Sequence, residues 1–206
     1  MRDKDVRNAV WQKLCAKYGE DKNTRLVQEM GVWSGTVRID IAVINGELSG
    51  FELKSDKDTL ERLPFQSELY SKVFDKINLV VGSMHEFKAK TLIPSWWGII
   101  VATQGKSGIS LEVSKTSEEN PSPDPYLVAQ LLWKDEALNI LEAFNLSKGW
   151  RGKRIKLIHQ RLATELPFKD LKFHVRETLK KRENWLRQVL PCNRNMPVDP
   201  YLDPVL

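Results

Sequence analysis

VRIDIAVINGELSGFELKSDKDTLERLPFQ, residues 37–66, is the stretch that decides the fold. Two segments rich in β-branched and apolar residues, 36–44 and 48–54, overlap its first half, and Asn45-Gly46 stands between them. An Asn-Gly pair between such segments is the strongest short-range indication of a β-hairpin. The sequence therefore predicts two antiparallel strands, followed by a helix over residues 58–73.

Three of the four charged residues in these predicted strands can converge on one face. Side chains alternate along a strand, so Glu52 and Lys54 share one face, and Asp40 reaches that face from the neighbouring strand. Two carboxylates in a half-buried cleft repel each other unless a cation lies between them, and oxygen ligands suit Mg²⁺ or Mn²⁺. The same alternation predicts that one group of apolar side chains shares the face opposite Asp40: Val37, Ile39, Ile41 and Val43.

The pattern of Asp40, Glu52 and Lys54, followed by a helix with Gln66 and Tyr70, resembles the PD-(D/E)xK nuclease superfamily. The longer string FELKSDKDTLERLPFQSELY is similar to a bacterial and phage family of small proteins in that superfamily. No proline precedes Asp40, but that proline is commonly absent in the superfamily. The resemblance implies a restriction-endonuclease-like fold and a metal-dependent DNA nuclease acting in repair, recombination or phage DNA processing.

The resemblance also implies a role for each residue. Asp40, Glu52 and the backbone carbonyl of Leu53 would hold Mg²⁺ or Mn²⁺. Lys54 would position or activate the attacking water, and Gln66 would assist it. The expected enzyme is thus a Mg²⁺-dependent phosphodiesterase, a deoxyribonuclease. Three further residues are candidates for the same site: Tyr70, Glu29 and Asp5.

The periodicity of apolar residues along the chain predicts an α/β protein with the order αβββαβ(α)β and a mixed central sheet. The segment KTSEENPSPDP, residues 115–125, has the composition of a linker. It separates a predicted core, residues 1–114, from a helical, basic region, residues 126–206. The other expected helices span 3–17, 86–92, 125–144, 152–166 and 169–190, and the other expected strands span 25–32, 77–82, 97–103 and 109–113.

Basic residues are concentrated in the C-terminal region. Between residues 148 and 187, thirteen Lys and Arg stand against four Asp and Glu, whereas the whole chain has a formal net charge of +5. Basic clusters bind phosphates through counterion release. DNA is therefore the expected partner, and Trp150 could stack on an unpaired base. The alternative is a solvated basic face with Trp150 as a packing residue. The candidate contacts are Arg62, Trp150, Arg151, Lys153 and Arg154.

Composition also argues against several classes of protein. No apolar run approaches the roughly 20 residues of a membrane span, and the charged first residues do not form a signal peptide, so a cytoplasmic protein is expected. The chain has two cysteines, Cys15 and Cys192, and this number argues against a structural zinc site. Two alternatives to an enzyme stay open, a non-catalytic nucleic-acid-binding module and a protein-interaction subunit. Homo-oligomers and partner proteins are equally open.

Overall fold

The computed structural model describes residues 1–33, 35–106 and 108–183. These residues form a six-stranded mixed sheet with helices on both faces, so the predicted α/β class and the order of the elements are confirmed. A short 3₁₀ turn, Ser83–His85, precedes α3. The elements in chain order are α1 (Asp3–Tyr18), β1 (Arg25–Val32), β2 (Val37–Ile44), β3 (Leu48–Lys54), α2 (Leu63–Tyr70), β4 (Lys76–Gly82), α3 (Glu86–Lys90), β5 (Gly98–Gly105), β6 (Gly108–Lys115), α4 (Pro125–Ala129), α5 (Lys134–Ala143), α6 (Ile155–Glu165) and α7 (Phe168–Lys181).

Each strand of the sheet pairs with the strand that follows it in the chain. The β1–β2, β2–β3 and β5–β6 pairs are antiparallel, and the β3–β4 and β4–β5 pairs are parallel. The predicted hairpin joins β2 to β3, with Ile44 opposite Leu48. Its turn is closed by the Asn45 side chain, whose Oδ1 accepts a hydrogen bond from the backbone N–H of Glu47 at 3.0 Å.

The two faces of the sheet carry separate hydrophobic clusters. Helix α1 covers one face with Val6, Val10 and Leu14, which lie at helical spacing and are at most 1% exposed. The other face packs against α2 and against the helices of the C-terminal region. The candidate site lies where α1, α2 and the strands between them meet.

The segment predicted as a linker is held by Asn120 against the residues between α2 and β4. This side chain is buried, and its Nδ2 donates hydrogen bonds to the carbonyls of Ser71 and Phe74 at 2.7 Å each. Apolar residues on both sides of the segment, such as Leu79 of β4 and Leu171 of α7, belong to one cluster. The domain boundary at residues 115–125 stays a prediction. The residues on its two sides share one hydrophobic core.

Several helices differ from their predicted bounds. Helix α2 begins at Leu63 rather than residue 58, because Asp58 accepts hydrogen bonds from the N–H and hydroxyl of Ser55 at 2.7 and 2.6 Å and closes a turn there. The helix predicted over 125–144 is divided into α4 and α5. The end of the predicted helix 169–190, and residues 191–206 with their four prolines and Cys192, lie outside the described residues. Within the described part of the chain, no helix is both long and apolar enough to cross a membrane.

Candidate functional site

Strands β2 and β3 separate at the candidate site, and the Asp40 side chain lies in the gap. Their pairing runs from Ile44–Leu48 to Ile41–Phe51 and goes no further. Beyond it, Asp40 Oδ2 accepts a hydrogen bond from the backbone N–H of Leu53 at 2.8 Å. The Asp40 carboxylate therefore accepts the hydrogen bond of a β3 N–H group that has no backbone partner in β2.

Strands β1 and β2 change face at this point. Val37 and Ile39 pack on the α2 side of the sheet, whereas Ile41 and Val43 pack on the α1 side. The sequence-based prediction that all four share one face is therefore wrong. A strand that keeps its period of two would have placed them together.

The change of face is marked by a left-handed backbone at Glu29. This residue has φ 53, and the pair formed by Glu29 and Asp40 is missing from the otherwise regular register of β1 and β2. A positive φ at a residue other than glycine is uncommon, and it persists where the surrounding contacts hold it. The local distortion turns both carboxylates toward α1.

The predicted residues of β3 and α2 do come together. Glu52 Oε1 accepts hydrogen bonds from Lys54 Nζ and from Gln66 Nε2, both at 2.6 Å. Gln66 Nε2 also lies 3.4 Å from the Tyr70 hydroxyl, which donates to the backbone carbonyl of Arg38 at 2.5 Å. Glu52 and Gln66 are 1% and 6% exposed, and each has one side-chain oxygen, Oε2 and Oε1 respectively, that is buried without a hydrogen-bond partner.

Arg7 of α1 is the residue of this site that sequence analysis missed. Its Nη2 lies 2.6 Å from Asp40 Oδ1, and its Nη1 lies 2.9 Å from Glu29 Oε1. The signal in the sequence was an arginine directly beside the apolar stripe of the first helix. Asp5, which sequence analysis placed near the site, lies instead on the exposed side of α1, where Oδ2 accepts a hydrogen bond from the N–H of Arg2.

Burial governs the titration of the two central carboxyls. It raises the pKa of Glu52 to about 7, with a further increase from the Asp40 charge and an opposing effect from Lys54. Burial also raises the pKa of Asp40, although the Arg7 guanidinium and the Leu53 N–H act in the other direction. The burial of Arg7 lowers its pKa, but the Asp40 charge and hydrogen bond outweigh that effect, and the net change is upward.

The carboxylates in this arrangement do not fit a divalent metal ion. Both oxygens of Asp40 already have partners, and so does Glu52 Oε1, which leaves Glu52 Oε2 open. Leu53 contributes its N–H to the site, whereas the predicted role required its carbonyl. Among the described residues, no three Asp, Glu, His or Cys side chains are arranged to hold a metal ion.

The candidate DNA contacts lie elsewhere on the chain. Arg62 is exposed immediately before α2, and Arg151, Lys153 and Arg154 are exposed in the turns that precede α6. Trp150 is half-buried, packs against the hydrophobic cluster and has the Arg161 guanidinium 4.5 Å from its ring centroid. Trp150 thus has the contacts of a packing residue, and its predicted stacking on a base would require Arg161 to move.

Comparison with known proteins gives the family of the chain. A family model described as "Bacteriophage P4 protein cII" matches residues 1–196. "Protein cII" of Enterobacteria phage P4 is 24% identical over 147 residues, which are 71% of this chain and 55% of that protein. The chain thus spans about half the length of the curated relative that it matches. No solved structure matches it.

The family match overturns the resemblance to the PD-(D/E)xK superfamily, and with it the DNA nuclease function. Both predictions are wrong, although the residues that suggested them converge, because an aspartate followed by Glu-x-Lys is a short pattern in a chain with many charges. The Mg²⁺-dependent phosphodiesterase activity and its metal cofactor are separate expectations that a family description does not address, and they stay predictions. With a family model that covers all but its last residues, the chain belongs to the bacteriophage P4 protein cII family.

Proposed function

We propose that the chain binds the phosphate backbone of DNA. The proposed contact surface is residues 148–156, which are the turns before α6 and the first two residues of that helix, and we call it the basic loop. The observation that supports this proposal is the exposure of its five cationic side chains. In the described part of the chain, these side chains make one ion pair, from Arg151 to Glu142 at 3.4 Å, and both partners are more than half exposed. A surface pair of that kind contributes little and leaves the charge available to phosphates. The five residues are Lys148, Arg151, Lys153, Arg154 and Lys156.

The basic loop is anchored at one point by Trp150. Its ring packs against the hydrophobic cluster and is covered by Arg161, while the N–H of Trp150 and the N–H of Lys153 close two successive turns. Gly149 has φ 80, a conformation that glycine adopts without steric cost. The loop therefore presents its cations from an ordered backbone, so that less conformational entropy is lost when phosphates are bound.

Three basic residues in or directly after α7 form ion pairs, so we leave them out of the proposed DNA-binding surface. Lys172 and Arg176 lie 2.7 and 3.4 Å from the carboxylate oxygens of Asp75, and Arg182 pairs with Glu136. Lys172 and Arg176 thus hold α7 against the start of β4, Arg182 joins the end of α7 to α5, and all three side chains are partly or fully buried. The high basic count of the C-terminal region thus overstates the charge that is free to meet DNA.

The experiment is a salt titration of DNA binding by a triple variant, Arg151→Gln, Lys153→Gln and Arg154→Gln. On duplexes of unrelated sequence, we expect weaker binding and a log–log salt slope that is shallower by about 0.9 for each lost phosphate contact. The matched control neutralises three exposed lysines elsewhere, Lys22→Gln, Lys106→Gln and Lys134→Gln. Equal slopes for the two variants would remove the basic loop from the DNA surface.

The cellular location of the protein and the number of copies that bind DNA are further proposals. We propose a cytoplasmic protein, because the proposed partner is DNA. The match covers 55% of the P4 relative, so any activity or partner of that longer protein would be a further proposal for this chain. Sedimentation of the protein with and without a DNA duplex would show whether one copy or two occupy it.

A further inference from the structure

Arg7 contacts three carboxylates at once. Its guanidinium lies 2.6 Å from Asp40 and 2.9 Å from Glu29, and its Nε lies 3.5 Å from Asp3, one helical turn earlier on α1. Nη1 also donates to the backbone carbonyl of Asp40 at 3.4 Å. A planar guanidinium with several fixed donors suits such a set of oxygens, and it is more weakly hydrated than an ammonium group.

The Arg7 guanidinium occupies the place where a divalent cation bound to these carboxylates would lie, and it uses oxygens that the cation would need as ligands. Mg²⁺ and Mn²⁺ require several oxygen atoms around one point. Among the described residues of this cluster, the buried carboxylate oxygen without a hydrogen-bond partner is Glu52 Oε2. A metal ion that used Asp40 as a second ligand would have to displace Arg7 from Oδ1 or the Leu53 N–H from Oδ2.

Helix α1 keeps the arginine in place. Val6 is fully buried next to it, Val10 is fully buried one turn later, and the Arg7 side chain itself is 21% exposed. The guanidinium is thus delivered to the carboxylates by a helix whose own packing does not depend on them. Two positive charges in contact in a half-buried site repel strongly, so Arg7 and a divalent ion exclude each other.

We propose that Arg7 is the resident cation of this cluster, and that Asp40 accepts a divalent metal ion only after the Arg7 guanidinium has been removed or displaced. This proposal does not depend on DNA binding by the basic loop. It means that Mg²⁺ or Mn²⁺ and the Arg7 guanidinium would bind Asp40 alternately, and not at the same time.

The test is calorimetric titration of the full chain with Mn²⁺. We expect the wild type and Lys4→Ala, an exposed cation of the same helix, to bind Mn²⁺ weakly, and Arg7→Ala to bind it at least about tenfold more tightly. Adding Asp40→Asn to Arg7→Ala should abolish the gain. Tight binding to the wild type that Asp40→Asn removes would overturn the proposal, and so would a folded Arg7→Ala variant with no gain.

A second measurement covers the case in which Arg7→Ala loses its fold. Without the guanidinium, the carboxylates repel each other, and Mn²⁺ should restore the circular dichroism spectrum and raise the unfolding temperature of Arg7→Ala but not of Lys4→Ala. Arg7→Met, which keeps most of the apolar length of the side chain, should respond as Arg7→Ala does. If neither variant folds at any Mn²⁺ concentration, the carboxylates do not accept the metal in place of arginine and the proposal fails.

Discussion

Glu52 lies at the centre of the candidate site, and its titration has a consequence for the stability of the whole chain. Burial is the main reason that the pKa of Glu52 is raised to about 7 in the folded chain. The pKa of a glutamate in the unfolded chain is about 4.3. Between these pH values, the folded chain holds a proton that the unfolded chain releases. The contribution of Glu52 to stability is therefore full below about pH 4 and falls as the pH rises through about 7. Asp40, whose pKa is also raised, acts in the same direction.

We expect Glu52→Gln to raise the unfolding temperature relative to the wild type at about pH 8, and to change it much less at about pH 5. The neutral amide avoids the cost of a buried charge and keeps an oxygen that accepts from Lys54 and Gln66. Scanning calorimetry at the two pH values measures the difference. Glu68→Gln, at an exposed position of α2, should show no such dependence on pH. A shift of equal size at both pH values would contradict the assignment of the proton to Glu52.

At the scale of elements, Asp75 connects the sheet to α7. It is 5% exposed, accepts a hydrogen bond from the N–H of Leu48 at 2.8 Å, and pairs with Lys172 and Arg176 of α7. A carboxylate shared between a strand and a helix holds their relative position as well as contributing energy. Removal of one partner from such a buried group is costly because the others are left without a counter-charge.

Asp75→Ala should lower the free energy of unfolding by about 3 kcal/mol. Urea denaturation measures this cost. Hydrogen exchange should show that the variant accelerates amide exchange, relative to the wild type, more in α7 than in β3. Asp170→Ala, at an exposed position of α7 itself, is the control and should change the stability by less than about 0.5 kcal/mol. Similar costs for the two variants would mean that apolar packing alone holds α7 on the sheet.

At the scale of the whole molecule, one hydrophobic cluster joins the sheet to the C-terminal helices. Leu79 and Ile77 of β4 lie in it together with Val175 and Leu179 of α7. We expect the full chain to unfold in one cooperative transition, and a fragment of residues 1–124 to lack that transition, because its sheet would expose an apolar face. Thermal unfolding and binding of a hydrophobic dye measure both properties. A fragment with a sharp transition and no dye binding would establish residues 115–125 as a true domain boundary.

Sequence analysis succeeded where local rules decide the structure. The Asn45-Gly46 hairpin, the shared face of Glu52 and Lys54, and the order of the elements along the chain follow from periodicity and turn chemistry, which act over a few residues. The start of α2 could not be predicted in that way, because Asp58 had a second use as the acceptor for Ser55. Capping residues serve turns as readily as helices.

The remaining differences arise from contacts between distant parts of the chain. The change of face at Asp40 depends on the backbone of Glu29, which lies on another strand, and Arg7 reaches both residues from a helix. Neither contact leaves a periodic pattern in the sequence. The same short pattern of charges also suggested the wrong family, because residues that converge on one site do not by themselves identify an ancestor.

The order of the sheet has a consequence for how the chain folds as it is synthesised. Every strand pairs with the next strand made, so the sheet grows from one edge without waiting for later segments. Lys172, which pairs with Asp75, follows it by 97 residues, so we expect the part of the apolar face that α7 covers to stay exposed until α7 has been synthesised. We therefore expect the C-terminal helices to pack last on this face, and the chain to gain its cooperative native structure when they do.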